Sequence, residues 1–234
     1  MLGVLASTVT QPIAATTSSE LPSTVSVTTT VPVSETPVLL PTHMLAVHSS
    51  AATSSPGAGP STPRKVTLFP AHSVVLAAHC ANFPALPTTT FPVEYASDEE
   101  VAQGVQGLGR EARTQLPLVP LSLPSPETFA SLSTYLYTRR SDQLFASLLP
   151  HAPPPSLAQS KAKGEEALDM YADHLRSSIS RTALLSLALR VLGLWRNTCA
   201  LGVNDAQLWG VIERAWGVLV RSLGEGSEQL ASSS

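Results

Sequence analysis

The chain has 234 residues, 14 basic against 17 acidic side chains, a net charge of −3 and two cysteines. No basic cluster exceeds the pair Arg139 and Arg140, which argues against charge-driven nucleic-acid binding, and two cysteines are too few for a disulfide scaffold. No stretch approaches the roughly 18 unbroken apolar residues of a membrane span, and the apolar opening MLGVLAS lacks the basic start of a secretory signal, so the expectation is a chain inside the cell.

Residues 1–64 are dominated by Ser, Thr, Pro, Val and Ala, carry only Glu20, Glu35 and Arg64 as charges, and contain no aromatic residue. Without large apolar groups to offset ordering entropy, this stretch reads as a disordered tail. A Ser/Thr-rich glycosylated stalk is the competing reading if the protein were secreted. All 3 Trp, 4 Tyr and 5 Phe fall from residue 65 onward, so the folded domain is expected over 65–224, with 225–234 as a disordered C-terminus. Leu39-Leu40-Pro41-Thr42-His43 is faintly echoed by Leu68-Phe69-Pro70-Ala71-His72.

The folded part opens with Val66-Thr67-Leu68-Phe69, a short β-branched and apolar strand that Pro70 closes. Over 71–82, Val75, Leu76, His79, Cys80 and Phe83 recur at helical spacing. Residues 84–116 hold Pro, Thr, a Ser-Asp-Glu-Glu turn and three Gly, and read as an exposed insertion. A second strand is expected over 118–123, where Pro120 confines it to an edge or an irregular segment.

Ser125-Pro126-Glu127 supplies a helix start, and the helix after it should bury Phe129, Leu132, Tyr135 and Leu136. Another begins at Ser141-Asp142 with Leu144, Phe145, Leu148 and Leu149 inward, and prolines from Pro150 stop it. Residues 165–179 carry Leu168, Tyr171, Ala172 and Leu175 on one face. Residues 182–198 are Leu-rich around most of the circumference, which predicts a central helix. After Gly202, Asn204 is expected to cap a last helix with the stripe Leu208, Ile212, Trp216, Leu219 and Leu223.

No pattern for chemistry stands out. There is no G-x-S-x-G and no Gly-rich phosphate loop, and Asp98, Glu99 and Glu100 sit in the expected insertion as a solvated cluster. His72, His79 and Cys80 lack the convergent four-ligand spacing of a structural zinc site. No catalytic residue, cofactor or metal is therefore expected, and an enzyme would need a concave polar pocket with perturbed titratable groups. Trp209, beside the core stripe of the last helix, is the expected exposed anchor, with Arg139 and Arg140 as further candidate contacts.

Two segments resemble the BTB/POZ domain. In Ala71 to Phe83 the matching residues are His72, Leu76, Ala77 and Phe83. In Phe129 to Thr138 they are Phe129, Leu132, Tyr135 and Tyr137, and Arg139 stands where the family usually has Gly. Residues 66–223 also look like the clampless family of basidiomycete fungi, through Phe69 to Asn82, Tyr135-Leu136-Tyr137-Thr138 and Leu194 to Val203. These resemblances imply an α+β, POZ-like, helix-rich domain with a small sheet. They also imply a nuclear or nucleocytoplasmic regulator of clamp formation and dikaryotic growth, with mating-type homeodomain transcription factors among its protein partners. A homodimer is left open, and the alternative is a POZ-type substrate adaptor of a cullin ubiquitin ligase.

Overall fold

Strand formation begins earlier in the chain than aromatic content suggests. The computed structural model describes residues 13–15, 21–31, 40–50, 64–88, 91–95, 110–150 and 164–224. It is a mixed helix-and-sheet, α+β chain in two compact units, 1–126 and 127–234, rather than one domain over 65–224.

The first unit carries strands β1 (Ile13–Ala15), β2 (Thr24–Val31), β3 (His43–Ser49), β4 (Arg64–Ala71), β5 (Val93–Tyr95) and β6 (Arg110–Leu123), with helix α1 (Ser73–His79). The sheet runs β1-β4-β3-β6-β2, and β5 also pairs with β6. β3 lies inside it, antiparallel to β4 (His43↔Ala71) and parallel to β6 (Met44↔Leu118). Residues 43–48 are all buried.

That placement corrects the tail expected over 1–64 at residues 21–31 and 43–49, and the exposed insertion expected over 84–116 at residues 110–116, while residues 84–88 and 91–94 are mostly exposed. A strand paired on both edges satisfies its backbone through its neighbours, so the medium-sized side chains Met44, Leu45, Ala46 and Val47 suffice to bury it without any aromatic residue. In β2 the alternation Val25, Val27 against Ser26, Thr28 is the period of a half-buried strand. Val27 joins Met44, Ala46, Val66, Leu68, Leu116 and Leu118 in one apolar cluster. Residues 110–116 belong to β6 and hydrogen-bond to β2 and β5. The acidic turn at 98–100 lies outside the described residues.

Pro70, expected to close its strand, and Pro120, expected to confine its strand to an edge or an irregular segment, sit where no ladder N–H is needed. The carbonyl of Ala71 accepts from Thr42 N on the β3 side, so the neighbouring Pro70 faces the other edge, where β1 reaches only Val66. Leu118 N donates to Ser23 O, and Pro120, two residues on along that edge, lies past the Thr24↔Pro117 end of β2. β4 therefore runs through Pro70, and β6 is an edge at Pro120 on that side alone.

The second unit follows a 3-10 turn at Pro126–Thr128 and holds α2 (Phe129–Thr138), α3 (Ser141–Leu148), α4 (Gly164–Ser178), α5 (Arg181–Leu201) and α6 (Ala206–Gly224). The expected inner faces of α2 and α3 are buried, as are Tyr171, Ala172 and Leu175 of α4. α5 ends at Gly202, whose left-handed φ of 64° suits a residue without Cβ. There the Gly202 N–H reaches Cys199 O and Val203 N–H reaches Thr198 O, a Schellman closure. Two polar pairs tie the unit together. Buried Asn197 donates to Thr128 Oγ1 at 2.9 Å. Arg176 of α4 donates to Ser222 O and Arg221 O at 3.2 and 2.7 Å, capping carbonyls at the end of α6.

Candidate interaction surface

The tightest polar constellation of the helical unit gathers around Asp205. Its Oδ1 accepts from Gln207 N at 2.9 Å and Leu208 N at 3.4 Å, so Asp205, and not the expected Asn204, caps α6. Its Oδ2 accepts from Tyr135 Oη at 2.8 Å and pairs with Arg139. The Asp205 side chain is only 5% exposed, and four donors share its charge. Burial first, then the hydrogen bond and negative charge of Asp205, push the Tyr135 hydroxyl up to about 12. Each oxygen is committed to a structural partner, so the cluster fixes the α5–α6 turn against α2.

Arg139 reaches this cluster because its backbone is left-handed, with φ 57°. It caps α2 through its N–H to Tyr135 O at 2.7 Å, and its guanidinium lies 5.6 Å from the Tyr135 ring centroid. The position where the POZ motif carries Gly is thus the αL residue that ends the helix. Arg140 instead grips Asp142 with two bonds of 2.9 and 2.6 Å, which holds that exposed carboxyl down at about 2. With Gln143 and Tyr135 it borders a shallow groove of about 210 Å³ between α2 and α3.

Trp209, expected as the exposed anchor, is half-buried. Its indole N–H turns back to Val203 O at 3.2 Å, because the turn after α5 presents that carbonyl one helical turn away. The exposed tryptophans are Trp195 (44%) and Trp216 (42%); Trp216 was expected in the core stripe. α5 is likewise not buried all round: Leu185 is 49% and Leu189 67% exposed. Burial of Leu184, Ala188, Val191 and Leu194 on the opposite side meets the packing need of the unit, which leaves the surplus leucines outside.

In the sheet unit, the motif residues His72 and Phe83 are half-buried and Leu76 is buried. In the helical unit Phe129, Leu132 and Tyr135 are buried and Tyr137 is half-buried. The two POZ-like motifs therefore fall in different compact units. A second cavity, about 390 Å³, lies in the sheet unit beside Thr42, Phe91 and Gln115. Buried His43 borders it, held by Thr42 Oγ1 at 2.8 Å and Pro87 O at 2.9 Å. Among the described residues no three His, Cys, Asp or Glu converge as metal ligands. Cys80 is buried, which pushes its thiol up to about 11, while Cys199 is exposed.

The two-unit division has a counterpart in known proteins. The family model for the Clampless protein 1 N-terminal domain matches residues 1–124, and that for the Clampless protein 1 C-terminal domain matches 142–234. The chain belongs to the clampless family. Two curated relatives named Clampless protein 1, from Cryptococcus neoformans var. neoformans serotype D strains JEC21 and B-3501A, are each 30% identical over 105 residues. That alignment covers 45% of this chain, and the chain spans about a fifth (20%) of the length of each relative. No solved structure matches. The clampless N-terminal match ends within two residues of the structural boundary at Pro126, and α2, with the second POZ-like motif, lies between the two matched regions.

Sequence reasoning missed Asp205, Arg176, Trp195 and Trp216. A signal existed for Asp205, since Asp directly before an apolar periodic run is a capping pattern. None existed for its partners 66 and 70 residues earlier in the chain.

Proposed function

We propose that this clampless-family chain acts in clamp formation without chemistry of its own, by binding other regulatory proteins through its helical unit. The family's name points to clamp formation. The observation that carries the binding reading is where large apolar side chains face solvent. Met170, Leu185, Leu189, Trp195, Trp216 and Val220 all lie on α4, α5 and α6, against Val74 and Val93 in the sheet unit. Exposed aromatic and aliphatic side chains gathered on one unit are a mark of contact surfaces. The titratable groups brought together there, Tyr135, Arg139 and Asp205, already serve helix ends, which suits a scaffold better than an active site. Mating-type homeodomain factors are the first partners to test, with the nucleus as the place of meeting.

The test is a gene replacement in a mating-competent strain with the double variant Trp195→Ala, Trp216→Ala. Clamp cells are scored, and the homeodomain factors and a cullin are probed in pull-downs with the full chain. The reading expects lost clamps and lost capture of the homeodomain factors at unchanged protein level. Normal clamps from the double variant would refute it, and capture of a cullin alone would replace it with the ubiquitin-ligase adaptor.

A further inference from the structure

The outward side of α5 combines two features. Arg181, Leu185, Leu189, Leu192 and Arg196 succeed one another at three- to four-residue steps, so they share one face. Cys199 and Ala200 extend it by a turn, and all of these except half-buried Leu192 are exposed. The face runs for about 30 Å, the length of the helix at 1.5 Å per residue.

The second feature is charge. α5 has three charged residues, Arg181, Arg190 and Arg196, and no acidic one. Of the acidic side chains of α4, Asp173 pairs with Arg176, and Asp169 and Glu165 pair with Arg221. Among the described residues no ion pair forms at Arg181, Arg190 or Arg196. An apolar centre with an unpaired cation on the same face near each end, Arg181 and Arg196, and a third on the flank is complementary to a helix that is apolar along one stripe and acidic beside it.

Resting on the functional reading above, we infer that the Leu185–Leu189 face of α5 docks an acidic amphipathic helix of a partner protein. The partner's apolar residues at i, i+4 and i+7 lie over Leu185, Leu189 and Leu192. Its carboxylates, spaced about four turns apart, meet Arg181 and Arg196. The same composition gives α5 the length and hydropathy of a membrane-crossing helix. Its buried positions, Leu184, Ala188, Val191 and Leu194 among them, pack within the protein, however, and three unpaired arginines oppose burial in lipid.

The experiment uses the full chain and a fluorescent synthetic peptide of about five helical turns, with Leu on one stripe and Glu on its flanks. A second peptide replaces each Glu by Lys, and phosphatidylserine vesicles form the third arm. Anisotropy reports binding, and protection of exposed Cys199 from a thiol reagent reports the site, since Cys80 is buried. The acidic peptide is expected to bind, weaken with added salt and shield Cys199, while the Lys peptide does neither. Arg181→Glu, Arg196→Glu is expected to lose the acidic peptide by roughly tenfold or more and to gain the Lys peptide.

Binding of neither peptide, equal binding of both, or an unchanged affinity on charge reversal would overturn the inference. Shielding of Cys199 by vesicles alone would overturn it in favour of a lipid surface. Clamp scoring separates this from the functional reading. Clamps lost in the charge-reversed variant while the native chain ignores the acidic peptide refute the partner chemistry only. Normal clamps in a variant that has lost the peptide overturn α5 as the surface serving clamp formation, while the functional reading is decided by the Trp195→Ala, Trp216→Ala variant.

Discussion

Replacing Asp205 by Ala removes three interactions at once, and their sum can be worked from the structure. Loss of the cap on Gln207 N and Leu208 N costs about 1 kcal/mol. Tyr135 is 1% exposed, so its hydroxyl, left without Asp205, adds about 1–3 kcal/mol. Arg139 is 43% exposed at its side chain, and solvent screening keeps that pair to at most about 1 kcal/mol. The expected destabilisation of Asp205→Ala is about 2–5 kcal/mol, a drop of about 1–2.5 M in urea midpoint at a slope of about 2 kcal/mol per M. Tyr135→Phe alone should cost about 1 kcal/mol. In that background Asp205→Ala loses only the cap and the screened pair, so the cycle should show a coupling of about 1–3 kcal/mol. Tryptophan fluorescence is the assay, because Trp195, Trp209 and Trp216 all lie in the helical unit. An Asp205→Ala cost below about 0.5 kcal/mol, or strict additivity with Tyr135→Phe, would refute the account.

Four further outcomes are expected. Arg139→Gly should stay within about 1 kcal/mol of the native chain, because relief of the left-handed backbone offsets the lost pair, whereas Arg139→Val should lose about 2 kcal/mol; equal effects in urea unfolding would contradict the φ of 57°. Ala46→Asp, at a fully buried position of β3, should unfold the sheet unit, while Thr28→Asp, on the exposed side of β2, should not; limited proteolysis compares them, and a tolerated Ala46→Asp would return residues 43–49 to the tail. In thiol titration of the native chain Cys199 should react and Cys80 only after unfolding; two fast thiols would contradict the burial of Cys80.

The last concerns alkali. Tyr135 and Tyr171 are both pushed from 10 up to about 12 by burial. Each stays protonated in the folded chain while the unfolded chain ionises, so the stability they contribute is complete below pH 10 and lost as pH rises from 10 to 12. Tyrosinate absorbance should show their ionisation near 12, and removal of that step by Tyr135→Phe and Tyr171→Phe together assigns it. A titration complete near 10 would refute their burial.

Much of the helical unit was legible in residue order. Phe129, Leu132, Tyr135 and Leu136 recur at helical spacing and are buried together, because periodicity is a property of the chain and any packed helix must bury its apolar stripe. Gly202 ends α5 for an equally local reason. The clampless resemblance was legible too, in short runs such as Leu194 to Val203.

Other features depended on partners far away in the chain. Residues 43–49 looked like tail because their composition was averaged over a long Ser/Thr-rich stretch; β4 and β6, pairing with both edges, make them the interior of a sheet. Trp209 and Trp216 traded the expected roles, since exposure follows from which side of α6 the neighbouring helices cover. Local propensity and periodicity are written in consecutive residues, while burial, strand pairing and the sharing of Asp205 among Tyr135, Arg139 and α6 arise only when distant segments meet. The sequence by itself therefore determined the helices and most of their inward stripes, and tertiary structure alone decided which apolar and charged side chains were left facing outward.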